Sequence, residues 1–587
     1  MTRPLAAILG LILLIAGPTN AADPLYPRPK ADVAFNRLYD YPELEAVLKK
    51  LVAAHPDLLT LSSLGRSFEG RELWCVTVND PKTGPDRDKP AMYVDGNIHG
   101  NEVQAAEACL YTIWTLAEGF GRVEKITELL EKKAFYIVPT VNPDGRAYWF
   151  AGPNTTSSSR SGKVPRDEDR DGLLDEDGYE DVDGDGQIAQ MRKKDPNGRY
   201  KPSPDEPRLL VPVKPGEQGE YDLLGTEGID NDGDGRLNED PPGGYDMNRN
   251  WPADWQPENV QAGAGDYPLC WPETRAVATF ILDHPNIAGV QAFHNAAGMI
   301  LRGPGHPSRQ SAYPAGDDRV AEEIGAAGAK MIPFYRNFVI HRDLYPVHGG
   351  FIGWTYEHRG IFSFTNELWN AEQLLGPPPA AGAPGSTLAR AVGLERQEDQ
   401  LFANDRLLFG TAFREWKPAK HPLYGDIEVG GWVKQSQRVP PSFMIEEMCH
   451  RNAAFVIYHA DQMPRLEFGD VEVKPLNNEL FTVTAAVRNT RAIPSVAQQA
   501  ANHNIGLPDV LSLEGDGLAV VAGGRLLDQF TGEVDAVEAD PAHLKLNAGV
   551  PGLGSARVRW FVKGTGEATL KHASEKGGTI SRTVAIR

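Results

Sequence analysis

The sequence predicts an α/β fold, a mixed and mostly parallel sheet with helices on both faces, followed by an all-β sandwich. Three observations lead there. Between residues 30 and 464, apolar runs of strand length alternate with segments of helical apolar spacing. Polar, chemistry-bearing residues stand just after three of those runs, where open α/β sheets collect their functional groups. Beyond residue 465 the texture changes to short β runs separated by Gly, Asn, Asp and Pro, which is the pattern of a sandwich.

The elements follow in order. Residues 1–22 carry one cation (Arg3), an apolar run from Leu5 to Ala16, and small residues at Thr19, Ala21 and Ala22. That order is a secretory signal peptide, and the run is too short to span a bilayer. The expected location is therefore secreted or periplasmic. PAMYVDGNI (90–98) reads as a buried strand, and Val103, Ala106, Leu110 and Ile113 as the face of the next helix. AFYIVPTV (134–141) is a second strand, closed by the turn Asn142-Pro143-Asp144-Gly145. IAGVQAF (287–293) and IFSFTN (361–366) are further strands. Two segments interrupt the pattern: an acidic, Gly- and Pro-rich insert (152–244) without periodic apolar residues, and a Pro/Ala/Gly loop (376–386). Ile445, Met448, Cys449, Val456 and Met463 form one apolar stripe, a closing helix before the β domain of 465–587.

Composition sets the bounds. With 41% hydrophobic residues, 11 Trp, 18 Tyr and 21 Phe in 587, the chain can bury a large core, which excludes wholesale disorder. A formal net charge of −21 argues against nucleic acid or anionic membrane surfaces as main partners. No later apolar run is long enough to cross a membrane once the signal is removed. Export permits disulfides. Cys75, Cys109, Cys270 and Cys449 allow three complete pairings, although Cys109 and Cys449, in helical patterns, suit buried free thiols equally well. Oligomeric state has no signature here.

The strand ends carry the chemistry. Strand 90–98 ends at His99-Gly100-Asn101-Glu102, strand 287–293 at His294, and strand 361–366 at Glu367. Two imidazoles and a carboxylate suit a catalytic Zn²⁺ that keeps its fourth position open for water. A His-x-x-Glu spacing is weak alone, and its bland reading is a hydrogen-bonded turn. A second copy, His572 to Glu575, has no strand-end His or Arg cluster after it and reads as accidental.

NIHGNE, PTVNPDG, YDMNRNW, FHN and YPVHGGFIGWTYEHRGIFSFTNEL, in that order across roughly residues 35–370, resemble the zinc carboxypeptidase family of the carboxypeptidase A type. The resemblance implies His99, Glu102 and His294 as zinc ligands and Glu367 as general base and acid. It implies Asn248 and Arg249 as the clamp for the substrate's terminal carboxylate, and Tyr345 as the mobile tyrosine that closes over substrate. Arg192, in QMRKK, matches the oxyanion arginine, with Met191 in place of the family's usual Trp. Ile352 stands where the family's specificity pocket is lined, so an apolar or aromatic terminal side chain is expected. Asn295, Ala296 and Asn366 depart from the family's pattern next to the second His and the catalytic Glu.

The chemistry asks for the same residue types. Amide hydrolysis at neutral pH needs an activated water, a carboxylate to move its proton, a fixed positive charge for the oxyanion, and an Arg fork for a free carboxylate.

Three stretches of the insert have the form Asp-x-Asp-x-Asp-Gly: Asp167/Asp169/Asp171, Asp181/Asp183/Asp185 and Asp230/Asp232/Asp234. Alternate carboxylates followed by Gly form the first half of a calcium loop, but the Glu of a full helix–loop–helix site is absent. The expectation is structural Ca²⁺ that folds the insert and sets the carboxylate clamp; the bland reading is a solvated acidic loop. The expected function is that of an exported zinc metallocarboxypeptidase acting on peptides. The alternatives are a peptidoglycan stem-peptide amidase of the same family, and a non-catalytic, calcium-dependent surface-binding protein. A non-haem iron oxygenase, which also uses two His and a carboxylate, is disfavoured for want of a co-substrate motif.

Overall fold

A computed structural model describes residues 28–167, 170, 172–375, 397–436 and 438–587. The signal peptide expected at 1–22 and the loop 376–386 lie outside the described residues, as do Asp169 and Asp171 of the first acidic stretch. No helix among the described residues is long and apolar enough to cross a membrane.

Eight strands build the main sheet. They are β1 (Leu59–Arg66), β2 (Glu72–Val78), β3 (Ala91–Gly96), β4 (Ala134–Val138), β5 (Ile287–Asn295), β6 (Met299–Arg302), β7 (Arg336–Val339) and β8 (Phe362–Leu368). Their spatial order is β1-β2-β4-β3-β5-β8-β6-β7. The centre, from β4 through β3 and β5 to β8, is parallel, while β1, β2 and β6 introduce the antiparallel pairs. Strands β3, β4 and β5 are buried along their whole length. Parallel strands covered on both faces need this, and so they read in sequence as unbroken apolar runs.

Alternation along the strands feeds two cores. Met92, Val94, Phe362 and Phe364 point to the face covered by α1 (Tyr41–Ala54), α2 (Gln104–Gly119) and the closing helix Ser442–Gln462. Tyr93, Tyr136 and Val290 point to the opposite face, under α5 (Pro272–Asp283) and α7 (Phe351–Arg359). Between these, α3 (Glu124–Lys132), α4 (Pro143–Phe150) and α6 (Ala315–Met331) complete the helical layers. Asp40 and Glu43 form a reciprocal capping box at the start of α1, which satisfies amide donors that the helix end would leave unpaired.

The insert is not coreless. Gln190–Lys194, Tyr200–Pro202, Leu210–Pro212 and Tyr221–Thr226 join Phe413–His421 and Gly425–Trp432 in a six-stranded antiparallel sheet. Ala189 and Met191 pack there against Ile427 and Val429. The apolar partners come from chain segments some two hundred residues apart, so no sequence window contains the pattern.

The C-terminal region holds two antiparallel sheets, of five strands and of four. Val483, Val558 and Trp560 of one sheet and Leu511, Leu513 and Leu570 of the other share one core, which makes the pair a sandwich. His572 is buried there, with Nε2 3.3 Å from Asp509 Oδ2. All four cysteines are free, and Cys75, Cys109 and Cys449 are buried.

Candidate metal centre and substrate cavity

Parallel pairing of β3, β5 and β8 puts their carboxyl ends side by side. Gly96 pairs with Phe293, and Glu367 with His294. After β3 the chain bends through Asn97, whose side-chain amide donates to the carbonyls of His99 (2.7 Å) and Gly100 (3.1 Å). A Cβ on Gly100 would lie 2.2 Å from the Ser159 carbonyl oxygen, so the approach of the 158–161 segment requires glycine here. The amide of Glu102 donates to His99 O (3.0 Å), completing the turn ahead of α2.

The three side chains converge. His99 Nδ1 lies 3.1 Å from Glu102 Oε1, His294 Nδ1 2.9 Å from Glu102 Oε2, and the two Nδ1 atoms 3.1 Å apart. His99 Nε2 faces Asp246 Oδ1 at 2.9 Å. That contact places the ring proton on Nε2 and leaves the Nδ1 lone pair turned inward, as in the carboxylate–histidine pairs behind metal ligands. Two inward nitrogens and a carboxylate share too few protons to satisfy one another at these distances. A divalent cation satisfies all three, because ligands at 2.0–2.1 Å in a tetrahedral shell stand about 3.3 Å apart. The residues present therefore fit zinc.

Electrostatics agree with a site of dense charge. Burial alone would raise the Glu102 carboxyl, but the two imidazoles hold it well below the usual carboxylate range. Asp246 is likewise held low against its burial by His99, Arg160 and Arg249. Glu367 moves the other way: burial first, then the charge of Glu102, pushes it up to about 7. A carboxyl poised near neutrality beside this His–Glu–His group is suited to taking and returning a proton.

A cavity of about 640 Å³ opens over this cluster. His99, Glu102, His294, Glu367, Asn248 and Arg249 all line it, and so do Tyr345 and Ile352. Asn248 and Arg249 sit in the short turn Met247–Arg249, which is capped by the Asp246 side chain. Asn248 Oδ1 accepts from the amide of Phe351 (2.9 Å), tying the turn to α7. Gly349, at φ 63°, lies so close to Arg249 that a Cβ would stand 2.2 Å from the Arg249 carbonyl oxygen. The loop bearing Tyr345 can pass this near only with glycine there. The Tyr345 side chain is exposed at the rim, whereas Ile352 is buried at the cavity wall.

Arg192 is not at the cavity, contrary to expectation. It lies on the insert sheet, donates to Glu428 Oε2 (2.7 Å), and is clamped between the rings of Tyr221 and Trp416, 4.1 Å from each centroid. The QMRKK strand pairs with Gly425–Trp432, and that register turns Arg192 into the sheet's own aromatic cage. Two other arginines stand at the cavity instead. Arg160 reaches Glu102 Oε1 (3.2 Å) and Asp246 Oδ2 (3.0 Å), and Arg438 lies 3.5 Å from Glu102 Oε1 and 3.2 Å from Asn295 Oδ1. Both line the cavity. Sequence reasoning missed them: Arg160 sits in a Ser/Thr run without motif, and Arg438 lies far past the last recognisable one. Asp246 was detectable, since it stands two residues before Asn248 in YDMNRNW.

In the insert, the oxygens of Asp181, Asp183 and Asp185, and those of Asp230, Asp232 and Asp234, form two groups with ligand atoms within 4.8 Å of one another. Asp167 accepts from the amide of Gly172 (3.2 Å).

Comparison with known proteins places these observations. A family model described as zinc carboxypeptidase matches residues 44–201 and 219–385. A second, described only as a domain of unknown function, matches residues 465–585. A zinc carboxypeptidase of Saccharothrix mutabilis subsp. capreolus is 30% identical over 150 residues, covering 26% of this chain and 33% of the relative. Human carboxypeptidase D is 29% identical over 140 residues, 24% of this chain and 10% of its own. The matched stretches thus span a third or less of these curated relatives. The solved carboxypeptidase A of Helicoverpa armigera aligns over 74% of this chain and 76% of its own, at 17% identity and a TM-score of 0.41.

Proposed function

The chain belongs to the zinc carboxypeptidase family, and we propose that it is an exported metallocarboxypeptidase that removes C-terminal residues from peptides. The observation that carries this reading is the meeting of His99, Glu102 and His294 with Glu367 and Arg249 in one cavity. His99, Glu102 and His294 would hold a zinc ion, whose Lewis acidity would make a water in the cavity acidic enough to react near neutral pH. The residues of the chain do the rest. Glu367 takes a proton from the attacking water and returns it to the departing amine. Arg160, between Glu102 and Asp246, is a fixed guanidinium at the reacting end and takes the oxyanion role that the sequence assigns to Arg192. Asn248 and Arg249 receive the terminal carboxylate, and Tyr345 folds over it from the rim. Asp246 holds His99 in the tautomer that ligation needs and pairs with Arg160, so one carboxylate orients both groups.

Ile352, Met299 and Leu301 make an apolar wall that favours apolar or aromatic terminal side chains. The test is a panel of peptides ending in Phe or Lys, the Phe peptide as its C-terminal amide, and muropeptides. Release of Phe is expected to outrun Lys. Amidation, which removes a charge-assisted hydrogen bond worth about 1.5–3 kcal/mol, is expected to slow cleavage by about 10–100-fold. Faster Lys release overturns the apolar pocket, undiminished cleavage of the amide overturns the exopeptidase, and preference for muropeptides favours the stem-peptide amidase.

We infer likewise that Ca²⁺ folds the acidic insert. Supporting this, Asp181 Oδ1 accepts from the amides of Gly184 (2.8 Å) and Asp185 (3.1 Å), which wraps the loop around its carboxylates. Crowding of acids also leaves a mark: burial and then Asp177 push Glu239 up to about 7. The Asp230 loop runs into Asp246, Asn248 and Arg249, so removing Ca²⁺ should raise KM while zinc stays bound. An unchanged KM in calcium-free, zinc-replete buffer overturns the inference.

A further inference from the structure

Outside the catalytic cluster, Asp254, His306 and His348 form a second group of two imidazoles and one carboxylate, with one ligand atom from each within 4.8 Å of the others. We propose that these three side chains are a second, structural site for Zn²⁺ or a similar late first-row dication, stapling three loops at the cavity rim. The proposal stands on this cluster alone and does not depend on the catalytic reading.

The residues come from separate places in the fold. Asp254 follows the buried Trp251, His306 caps the short helical turn Pro307–Ala312 beyond β6, and His348 lies in the loop that carries Tyr345. His348 Nδ1 stands 2.7 Å from Asp254 Oδ2, with both side chains 17% exposed, and its ring stacks on His306 with centroids 4.3 Å apart. His306 Nδ1 lies 2.8 Å from Ser308 Oγ. The Ser308 amide also donates to His306 Nδ1 (3.3 Å), which holds the ring in place at the start of the turn. Asp254 has φ 54°, a left-handed conformation that among non-Gly residues Asn and Asp adopt most readily. Two neutral imidazoles and a carboxylate are the borderline-soft donor set that Zn²⁺ prefers and that Ca²⁺ and Mg²⁺ do not. The nearby cation, Arg309, is committed to Glu357, which accepts from its Nε (2.8 Å) and Nη2 (2.6 Å) and so reduces repulsion of an ion.

The three loops already touch through backbone bonds. Val347 N donates to Gly305 O (2.8 Å) and Trp251 N to Gly349 O (3.0 Å). An ion at this cluster would hold the Tyr345 loop from its outer side, while Tyr345, Val347 and Gly350 line the cavity on the inner side.

The experiment uses the full-length, signal-processed, tag-free protein, stripped by chelation and dialysed against a small excess of Zn²⁺. Millimolar Ca²⁺ is kept present so that oxygen-only sites are occupied. Zinc per chain is counted by elemental analysis, and Tm is followed in parallel. Two ions are expected in the wild type, one in Glu102→Gln, and one in each of His306→Ala and His348→Ala. Added Zn²⁺ is expected to raise Tm in Glu102→Gln but not in Glu102→Gln/His306→Ala. His306 is partly exposed, and His348→Ala, on a different loop, gives a second variant so that the test does not hang on the folding of one. No ion in Glu102→Gln, or a count unchanged by both His variants, overturns the proposal, whatever the catalytic site holds.

Discussion

Glu367→Gln is expected to lower kcat by about 10²–10⁴-fold, the range contributed by a positioned general acid–base group, with KM and zinc content little changed. The amide keeps the size of the carboxylate but cannot accept a proton. Glu367 lines the cavity on β8, paired in register with His294, and touches none of the chain's ion pairs among the described residues. Nothing else should therefore move. The sign of the pH dependence follows from its role. Without a cation, burial and the charge of Glu102 put this carboxyl at about 7. A dication on the neighbouring ligands favours the ionised form and lowers that value. The base form is required, so kcat/KM of the zinc enzyme should fall as pH drops through a limb below 7. That limb should vanish in Glu367→Gln. Near-wild-type turnover by the Gln variant would remove Glu367 from the chemistry and the proton-transfer scheme with it.

Glu102→Gln is expected to abolish detectable peptidase activity through loss of the metal. Glu102 is buried, supplies two oxygens at 2.9–3.1 Å from the two imidazoles, and also faces Arg160 (3.2 Å) and Arg438 (3.5 Å). The neutral amide presents one weakly ligating oxygen, and its NH₂ would point at either the ion or a guanidinium. Two arginines would lose their shared counter-charge beside a dication, so binding suffers twice, from the missing ligand and from new repulsion. Elemental analysis and activity should fall together at the catalytic site and should not recover at micromolar Zn²⁺. Full activity with retained catalytic zinc would show that the three-ligand centre is misassigned.

The reach of the sequence differs from residue to residue. His99, Glu102, His294 and Glu367 were legible because parallel strands buried on both faces leave a strong apolar signature, and the polar residues after each run mark its carboxyl end. Asn248, Arg249 and Tyr345 were legible through local motifs, since a short turn and a Gly-Gly loop keep their geometry within a few residues. Arg192 shows the opposite case. Its local context matched, but the register of its strand against Gly425–Trp432 decided where its guanidinium went. Arg160 and Arg438 reach Glu102 from chain positions 58 and 336 residues away. No window of sequence contains those contacts.

The amino-acid order alone determined the strand and helix alternation, the β character of the last region, and the four residues at three strand ends, because each rests on periodicity or on chemistry within about ten neighbours. Tertiary structure alone decided which arginines face Glu102, that the acidic insert has a small core shared with residues 413–432, and that Asp254, His306 and His348 meet. These depend on pairings between segments far apart in the chain. Long-range pairing is set by the packing of whole surfaces against one another, and a linear pattern does not record it.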